Sequence, residues 1–228
     1  MVPSRTLEAQ VKKKWGIRDN RLKFIPNGID TDRFALPANA DQITSLGIDP
    51  SRRIIGTVAG LRPEKNVGRL IEAFSHIEDA YPDTQLVIIG DGVGMPALQM
   101  LAGRVCKPGN VVFTGSLAHP EHILPAFELF ALSSDTEQMP LSVIEAMATG
   151  LPVVSTDVGD ITHMVAASNK AYIAGKDAKI LAKNLKTLLA TPDVATEIGA
   201  LNQEKAKADY HIDQMVETYD ALFASCCR

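Results

Sequence analysis

The 228 residues, 46% apolar and 22% charged, allow one large domain, or one domain with appended elements, and a sizeable core. A formal net charge of -4 speaks against a nucleic-acid partner, which leaves a basic stripe, and Lys12-Lys13-Lys14 is the only basic run. Three cysteines, Cys106, Cys226 and Cys227, give neither a disulfide framework nor a metal-ligand spacing.

The chain opens with a short helical pattern, Leu7 to Trp15, that Gly16 would stop. Its basic run reads as a solvated helix face, with contact to anionic lipid headgroups as the alternative. Residues 21–34, RLKFIPNGIDTDRF, read as a short strand broken by Pro26 and a turn at Asn27-Gly28. Residues 35–50 read as a surface segment with one helical turn near 42–46.

From Arg53 strands and helices alternate regularly. RIIGTVA (53–59), QLVIIG (85–90), NVVFTG (110–115), ELFALSS (128–134), LPVVST (151–156) and KAYIA (170–174) read as strands. Between them fall helices at 66–79 and 95–105, a short one at 121–125, one at 140–149 and a helical turn at 160–165. This rhythm predicts an α/β fold: a Rossmann-like, doubly wound parallel sheet of about six strands with right-handed crossovers. Helices at 177–190, 192–207 and 212–225 complete the chain, with Asp209 or His211 opening the last. The organisation expected is a linker with leading helix and strand over 1–50, a Rossmann-like domain over 51–208, and a terminal helix over 209–228.

Three constellations could carry chemistry. Gly90-Asp91-Gly92-Val93-Gly94 follows a strand, but Met95 stands where a dinucleotide fingerprint needs its third glycine, and no acidic residue ends the next strand. A tight strand-to-helix turn is the better reading. The loop Gly60 to Asn66 places Arg62 and Lys65 before a helix, a setting suited to a diphosphate; the bland alternative is a solvated loop with Asn66 as N-cap and Lys65 paired to Glu64.

The third is Ser133 to Asp157, with Glu137 in a loop and Glu145 on the following helix, seven residues apart. Glu145 interrupts the apolar run IEAMA, so it needs a partner, and vicinal ribose hydroxyls or a Lys or Arg would serve. The N–H groups of Leu141, Ser142 and Val143, at a helix start opened by Pro140, could meet a phosphate. The histidines (76, 119, 122, 163 and 211) form no ligand spacing.

Together FIPNGIDTDRF (24–34), GTVAGLRPEKN (56–66), LVIIGDG (86–92), VVFTGS (111–116) and SSDTEQMPLSVIEAMATGLPVVSTDVGD (133–160) resemble the GT-B retaining glycosyltransferases of family 4, in their usual order. The resemblance implies the C-terminal, donor-binding domain of an enzyme moving a sugar from a nucleotide-sugar to an acceptor hydroxyl of a glycan or lipid-linked acceptor. It implies that Glu145 holds ribose hydroxyls, Glu137 the sugar hydroxyls, Lys65 the diphosphate and Leu117 the base, with the backbone from Met139 to Ser142 against sugar and diphosphate. It implies no cofactor and no metal. Arg62 stands near a family arginine position that Gly60 occupies here, and Gln138 replaces a frequent glycine.

A preceding GT-B domain is expected as partner, because residues 1–50 match only its linker. The alternative is a non-catalytic nucleotide-sugar-binding or interaction module. No segment reaches the roughly eighteen apolar residues of a membrane span and no leader pattern opens the chain, so a cytoplasmic location with at most peripheral membrane contact is expected.

Overall fold

The computed structural model describes residues 1–226. Its centre is a six-stranded sheet: β1 (Arg53–Val58), β2 (Thr84–Ile89), β3 (Val111–Gly115), β4 (Leu129–Leu132), β5 (Val153–Thr156) and β6 (Ile173–Ala174). The order is β3-β2-β1-β4-β5-β6, and every pairing is parallel, as the strand–helix rhythm requires. Strand order reverses between β1 and β4, so the loops leaving these two neighbours open a crevice at one edge, where such sheets bind ligands.

Period-two alternation sorts the strand side chains onto two faces. Ile54, Val87, Ile89, Phe130, Leu132 and Val153 enter one apolar layer. Ile55, Leu86, Ile88, Leu129, Ala131 and Val154 enter the other. The first layer is covered by α2 (Ala40–Ser45), α5 (Leu141–Ala148) and α6 (Ile161–Met164). The second is covered by α3 (Val67–Ser75), α4 (Met95–Val105) and α7 (Ala178–Ala190). The long α8 (Pro192–Tyr210) begins in the second layer with Ala195 and Ile198 and ends in the first with Ala206 and Tyr210.

The first fifty residues lie against this body. Helix α1 (Arg5–Trp15) is capped by Ser4 and stopped by Gly16 in the left-handed region. Val2, Val11, Ile25, Phe34 and Ile43 from this stretch are buried. The final helix α9 (Ile212–Cys226) follows an extended His211, so Asp209 belongs to α8 and His211 stands at the head of the last helix. Val216 and Phe223 leave part of α9 apolar and exposed. Cys106 is buried and free, while the reading of the Cys226 and Cys227 side chains lies outside the described residues.

Several elements differ from expectation for identifiable reasons. The strand at 21–26 is reduced to one parallel bridge between Phe24 and Val2, because Ser4, whose N–H would make the next ladder bond, turns into α1 as its N-cap. The strand at 170–174 shrinks to Ile173–Ala174. The side-chain amide of Asn169 takes the place of a paired strand at Val153, accepting its N–H at 2.9 Å and donating to its carbonyl at 2.6 Å. The helix at 121–125 is two 3-10 turns, Pro120–His122 and Leu124–Ala126, each opened by proline near its start. Helix α3 ends at Ser75 and gives way to turns, while α8 runs on to Tyr210.

Candidate functional site

The glycine-rich loop after β2 is a tight turn, as its spacing suggested. A Cβ on Gly90 would lie 1.9 Å from the Ala59 carbonyl oxygen, and one on Gly92 2.7 Å from that of Leu61. Both glycines hold positive φ, so backbone packs directly on backbone and the loop supports residues 59–61 from behind.

Residues 60–66 leave β1 and meet the loop that leaves β4. Lys65 ends a single 3-10 turn, and Asn66 follows at φ 42°, the one non-glycine positive φ among the described residues. Asn66 caps α3, its side-chain oxygen accepting the Arg69 N–H at 3.3 Å, as read from the sequence. Its amide also donates to Asp135 at 3.0 Å. Arg69 donates to the other Asp135 oxygen and to the Ser133 carbonyl, each at 2.7 Å. Ser133 Oγ donates to the Asn66 carbonyl at 2.9 Å, and the Asp135 N–H donates to that of Glu64 at 2.8 Å. This network fixes the unusual Asn66 backbone, and with it the direction of Lys65.

Lys65 Nζ lies 2.6 Å from Glu137 Oε1, with both side chains largely buried. Ser134 Oγ donates to the same oxygen at 2.7 Å. Arg62 instead pairs with Glu64 at 3.1 Å in a largely exposed contact. The Lys65–Glu64 pair of the alternative reading is therefore not formed. Each residue has a different partner, because the 3-10 turn points Lys65 inward across the β1–β4 crevice. The two cations are not equivalent: Lys65 is held, whereas an exposed pair such as Arg62–Glu64 is worth little and exchanges readily.

The backbone of Glu137 and Gln138 packs against Gly159, and the Gln138 carbonyl accepts the Asp160 N–H at 2.9 Å. Met139 is buried, and its carbonyl accepts the Asn27 side-chain amide at 3.0 Å, which ties this loop to the leading segment. Asn27-Gly28 is not the turn expected from sequence: neither residue holds a positive φ, and both lie in an irregular stretch. Pro140 then opens α5 without a side-chain cap. Val143 N–H bonds to the Pro140 carbonyl at 3.2 Å, which corrects its reading as a free donor; among the described residues Leu141 and Ser142 N–H have no such bond. Leu141 is exposed and Ser142 partly so, leaving both donors at the mouth of the crevice.

Glu145 lies one turn further along α5, partly buried. Among the described residues its carboxylate makes neither an ion pair nor a hydrogen bond; only its main-chain carbonyl is used, by Thr149. The salt bridge weighed from sequence is absent there. Burial pushes its pKa above the ordinary value, the nearby Glu121 charge pushes it further, and Arg33 pulls it back.

Glu121 is a feature that sequence reading missed. It is buried, pairs with Arg33 and lies 3.2 Å from His119 Nδ1. Burial would raise its pKa, but bonds from Arg33, its own N–H and His119 outweigh that and hold it below the ordinary value. Its second oxygen is buried with no partner. Arg33 and Glu121 stand 88 positions apart, so no local pattern announces them. Leu117 follows β3 at the sheet's far end and packs on the first apolar layer.

One group of three metal-capable side chains occurs among the described residues, Asp30, Asp32 and His211, none of them a residue singled out from the sequence for the ligand. Asp30 is already engaged by the N–H groups of Asp32 and Arg33. No helix among the described residues is long and apolar enough to cross a membrane.

A parallel sheet with this strand order and helices on both faces defines a Rossmann-like domain of α/β type, with lysine, carboxylates and helix N–H groups at its reversal point. Comparison narrows the class. The chain belongs to the family described as glycosyl transferases group 1, whose model matches residues 39–205. It is 29% identical over 216 residues to a GDP-mannose-dependent monoacylated alpha-(1-6)-phosphatidylinositol monomannoside mannosyltransferase of Corynebacterium glutamicum, covering 90% of this chain and 56% of that one. It is 27% identical over 214 residues to a lipopolysaccharide core biosynthesis mannosyltransferase of Rhizobium meliloti, covering 90% and 61%. In fold it matches Anabaena HepE, solved with UDP and glucose, with a TM-score of 0.84 at 20% identity, over 98% of this chain and 62% of that one. The chain spans little more than half the length of the curated relatives it matches.

Proposed function

We propose that the chain is the donor-binding, C-terminal half of a retaining glycosyltransferase of GT-B family 4, which moves a hexose from a nucleotide-sugar to the hydroxyl of a glycan or lipid-linked acceptor. One observation carries this reading: Lys65 and Glu137 meet across the β1–β4 crevice, with the unpartnered carboxylate of Glu145 on the helix that leaves the same loop.

Each group then has a task. Glu145 offers two oxygens to the vicinal ribose hydroxyls, and Leu117 lies against the base. Glu137 accepts from hydroxyls of the transferred sugar, with the Met139 backbone alongside. Lys65, the Leu141 and Ser142 N–H groups, and Arg62 once it leaves Glu64, receive the diphosphate. As the anomeric C–O bond to the diphosphate breaks, these positive groups stabilise the charge that gathers on the leaving oxygens. We assign that stabilisation to side chains and helix N–H groups, with no resident metal or other cofactor. Because Glu137 holds Lys65 before donor arrives, binding exchanges one counter-ion for another.

The names of the relatives support a lipid-linked or glycan acceptor, and the lengths they reach support a preceding partner domain bearing the acceptor site. We place the protein in the cytoplasm, a reducing setting in which a buried thiol such as Cys106 keeps its free form. Titration calorimetry with UDP-, GDP- and ADP-sugars tests the reading. One of them is expected to bind, and Glu145→Ala to abolish it; binding by none would sink the assignment. The same spans favour a second reading, a non-catalytic nucleotide-sugar-binding or interaction module, which turnover by a longer form carrying a preceding domain would reject.

A further inference from the structure

From the end of α1 to Lys23 the surface has a charge of its own. Residues 12–23 hold Lys12, Lys13, Lys14, Arg18, Arg21 and Lys23 against a single acid, Asp19, in a chain whose net charge is -4. Lys12 is neutralised, bridging Glu8 at 2.9 Å and Asp19 at 2.8 Å. The other five are exposed, and none forms an ion pair among the described residues. Trp15 stands among them, 72% exposed, although tryptophan ordinarily buries most of its surface.

A bland account covers only part of this. Cations in the last turn of a helix complement its dipole, which explains Lys12, Lys13 and Lys14. It does not explain Arg18, Arg21 and Lys23 beyond the Gly16 stop, nor an indole left in water. The patch is also held firmly. The Thr6 N–H donates to the buried Asp160 carboxylate at 2.8 Å, and Val11 is buried beneath the helix. At the far end Val2 and Lys23 share a 3.0 Å backbone bond. The surface is thus presented by a folded platform, not by a loose tail.

We propose that the basic surface carrying Lys13, Lys14, Trp15, Arg18 and Arg21 docks the protein on an anionic phospholipid bilayer; Lys23 lies to one side, in a groove it shares with Glu217 of α9. An indole among cations suits the headgroup layer, where its ring is half-solvated and its N–H finds acceptors. A bilayer is flat and touches one corner of the molecule. Acidic residues more than about 8 Å away are then screened at physiological salt. A nucleic acid would instead follow a stripe, and none extends from this patch.

The inference uses none of the donor-site residues, so the two stand or fall separately. Co-sedimentation of the full chain with phosphatidylcholine vesicles, alone or mixed with phosphatidylglycerol, tests it. The mixed vesicles are expected to bind and the neutral ones not, with binding falling as salt rises. Lys13→Gln combined with Lys14→Gln should weaken it about 30-fold, at roughly one surface charge's contribution per lysine. Trp15→Ala should weaken it while leaving the salt dependence intact. Thermal melts of these exposed-site variants should match the parent, which separates docking from folding. Equal binding to neutral vesicles, no binding to mixed vesicles at low salt, indifference to the lysine pair, or tighter binding to duplex DNA would each overturn the proposal.

Discussion

Replacing Glu145 by glutamine should make the protein more stable and a poorer nucleotide binder. The two effects share one cause. In the folded chain this carboxylate is partly buried without an ion-pair or hydrogen-bond partner, and it faces the Glu121 charge. Its folded pKa is therefore above the ordinary value of 4.5, so at neutral pH the ionised form costs stability. An amide of the same shape removes that cost. Each kcal/mol relieved should appear as about 2–4 °C in melting temperature for a chain of this size. As pH falls through the raised pKa, the parent's carboxyl protonates and the gap between parent and variant closes.

Binding moves the other way. Two hydroxyls on an ionised carboxylate make charge-assisted bonds of about 1.5–3 kcal/mol each, of which an amide keeps a part. A net loss of about 2–3 kcal/mol corresponds to a Kd roughly 30- to 150-fold weaker. Calorimetry with a nucleoside diphosphate, beside melts across a pH series, reads both. A variant that melts below the parent at neutral pH refutes the burial argument, and unchanged nucleotide affinity refutes the ribose assignment.

Other substitutions test separate parts of the structure. Lys65→Ala should weaken a nucleoside diphosphate at least about 10-fold, on the scale of one charge-assisted bond, and should barely change binding of the bare nucleoside; an equal loss for both ligands would remove Lys65 from the diphosphate. Gly199→Ala should destabilise by about 1–3 kcal/mol or more, because a Cβ there would lie 2.0 Å from the Gly150 carbonyl oxygen, where α8 crosses the end of α5. A denaturant melt within error of the parent would show that α8 can move aside. The Cys106 thiol, pushed up to about 12 by burial, should resist alkylation in the native state and react only on unfolding; rapid native labelling followed by mass spectrometry would contradict its placement.

The sheet was legible because parallel strands covered on both faces leave continuous apolar runs, and β1 to β5 each coincide with one. Boundaries failed where a side chain, a helix cap or a proline substituted for repetitive backbone, as at Asn169, Ser4 and the two prolines of residues 120–125. The carboxylates and cations of the crevice were legible by type and position along the chain, but their pairing was not. Which acid meets Lys65 depends on a left-handed Asn66 and on Asp135, 69 positions later, and neither leaves a periodic trace. Glu121 escaped for the same reason, since only the fold brings it to Arg33.

One seam carries a consequence for how the chain reaches its folded state. Ile29 N–H bonds to the Tyr210 carbonyl at 3.0 Å, and Ile212 N–H bonds back to Ile29 at 2.9 Å. The first thirty residues are thus sewn to the last twenty. During synthesis Ile29 emerges long before its partners, and α1 likewise waits for Asp160. The alternating core from β1 onward can assemble in the order it is made, while the stretch around Ile29 stays undocked until α8 is complete. Closure across so many residues adds slowly won, long-range contacts at the end of the process. A released chain cut short before residue 210 should therefore keep its sheet while the stretch around Ile29 is open to protease.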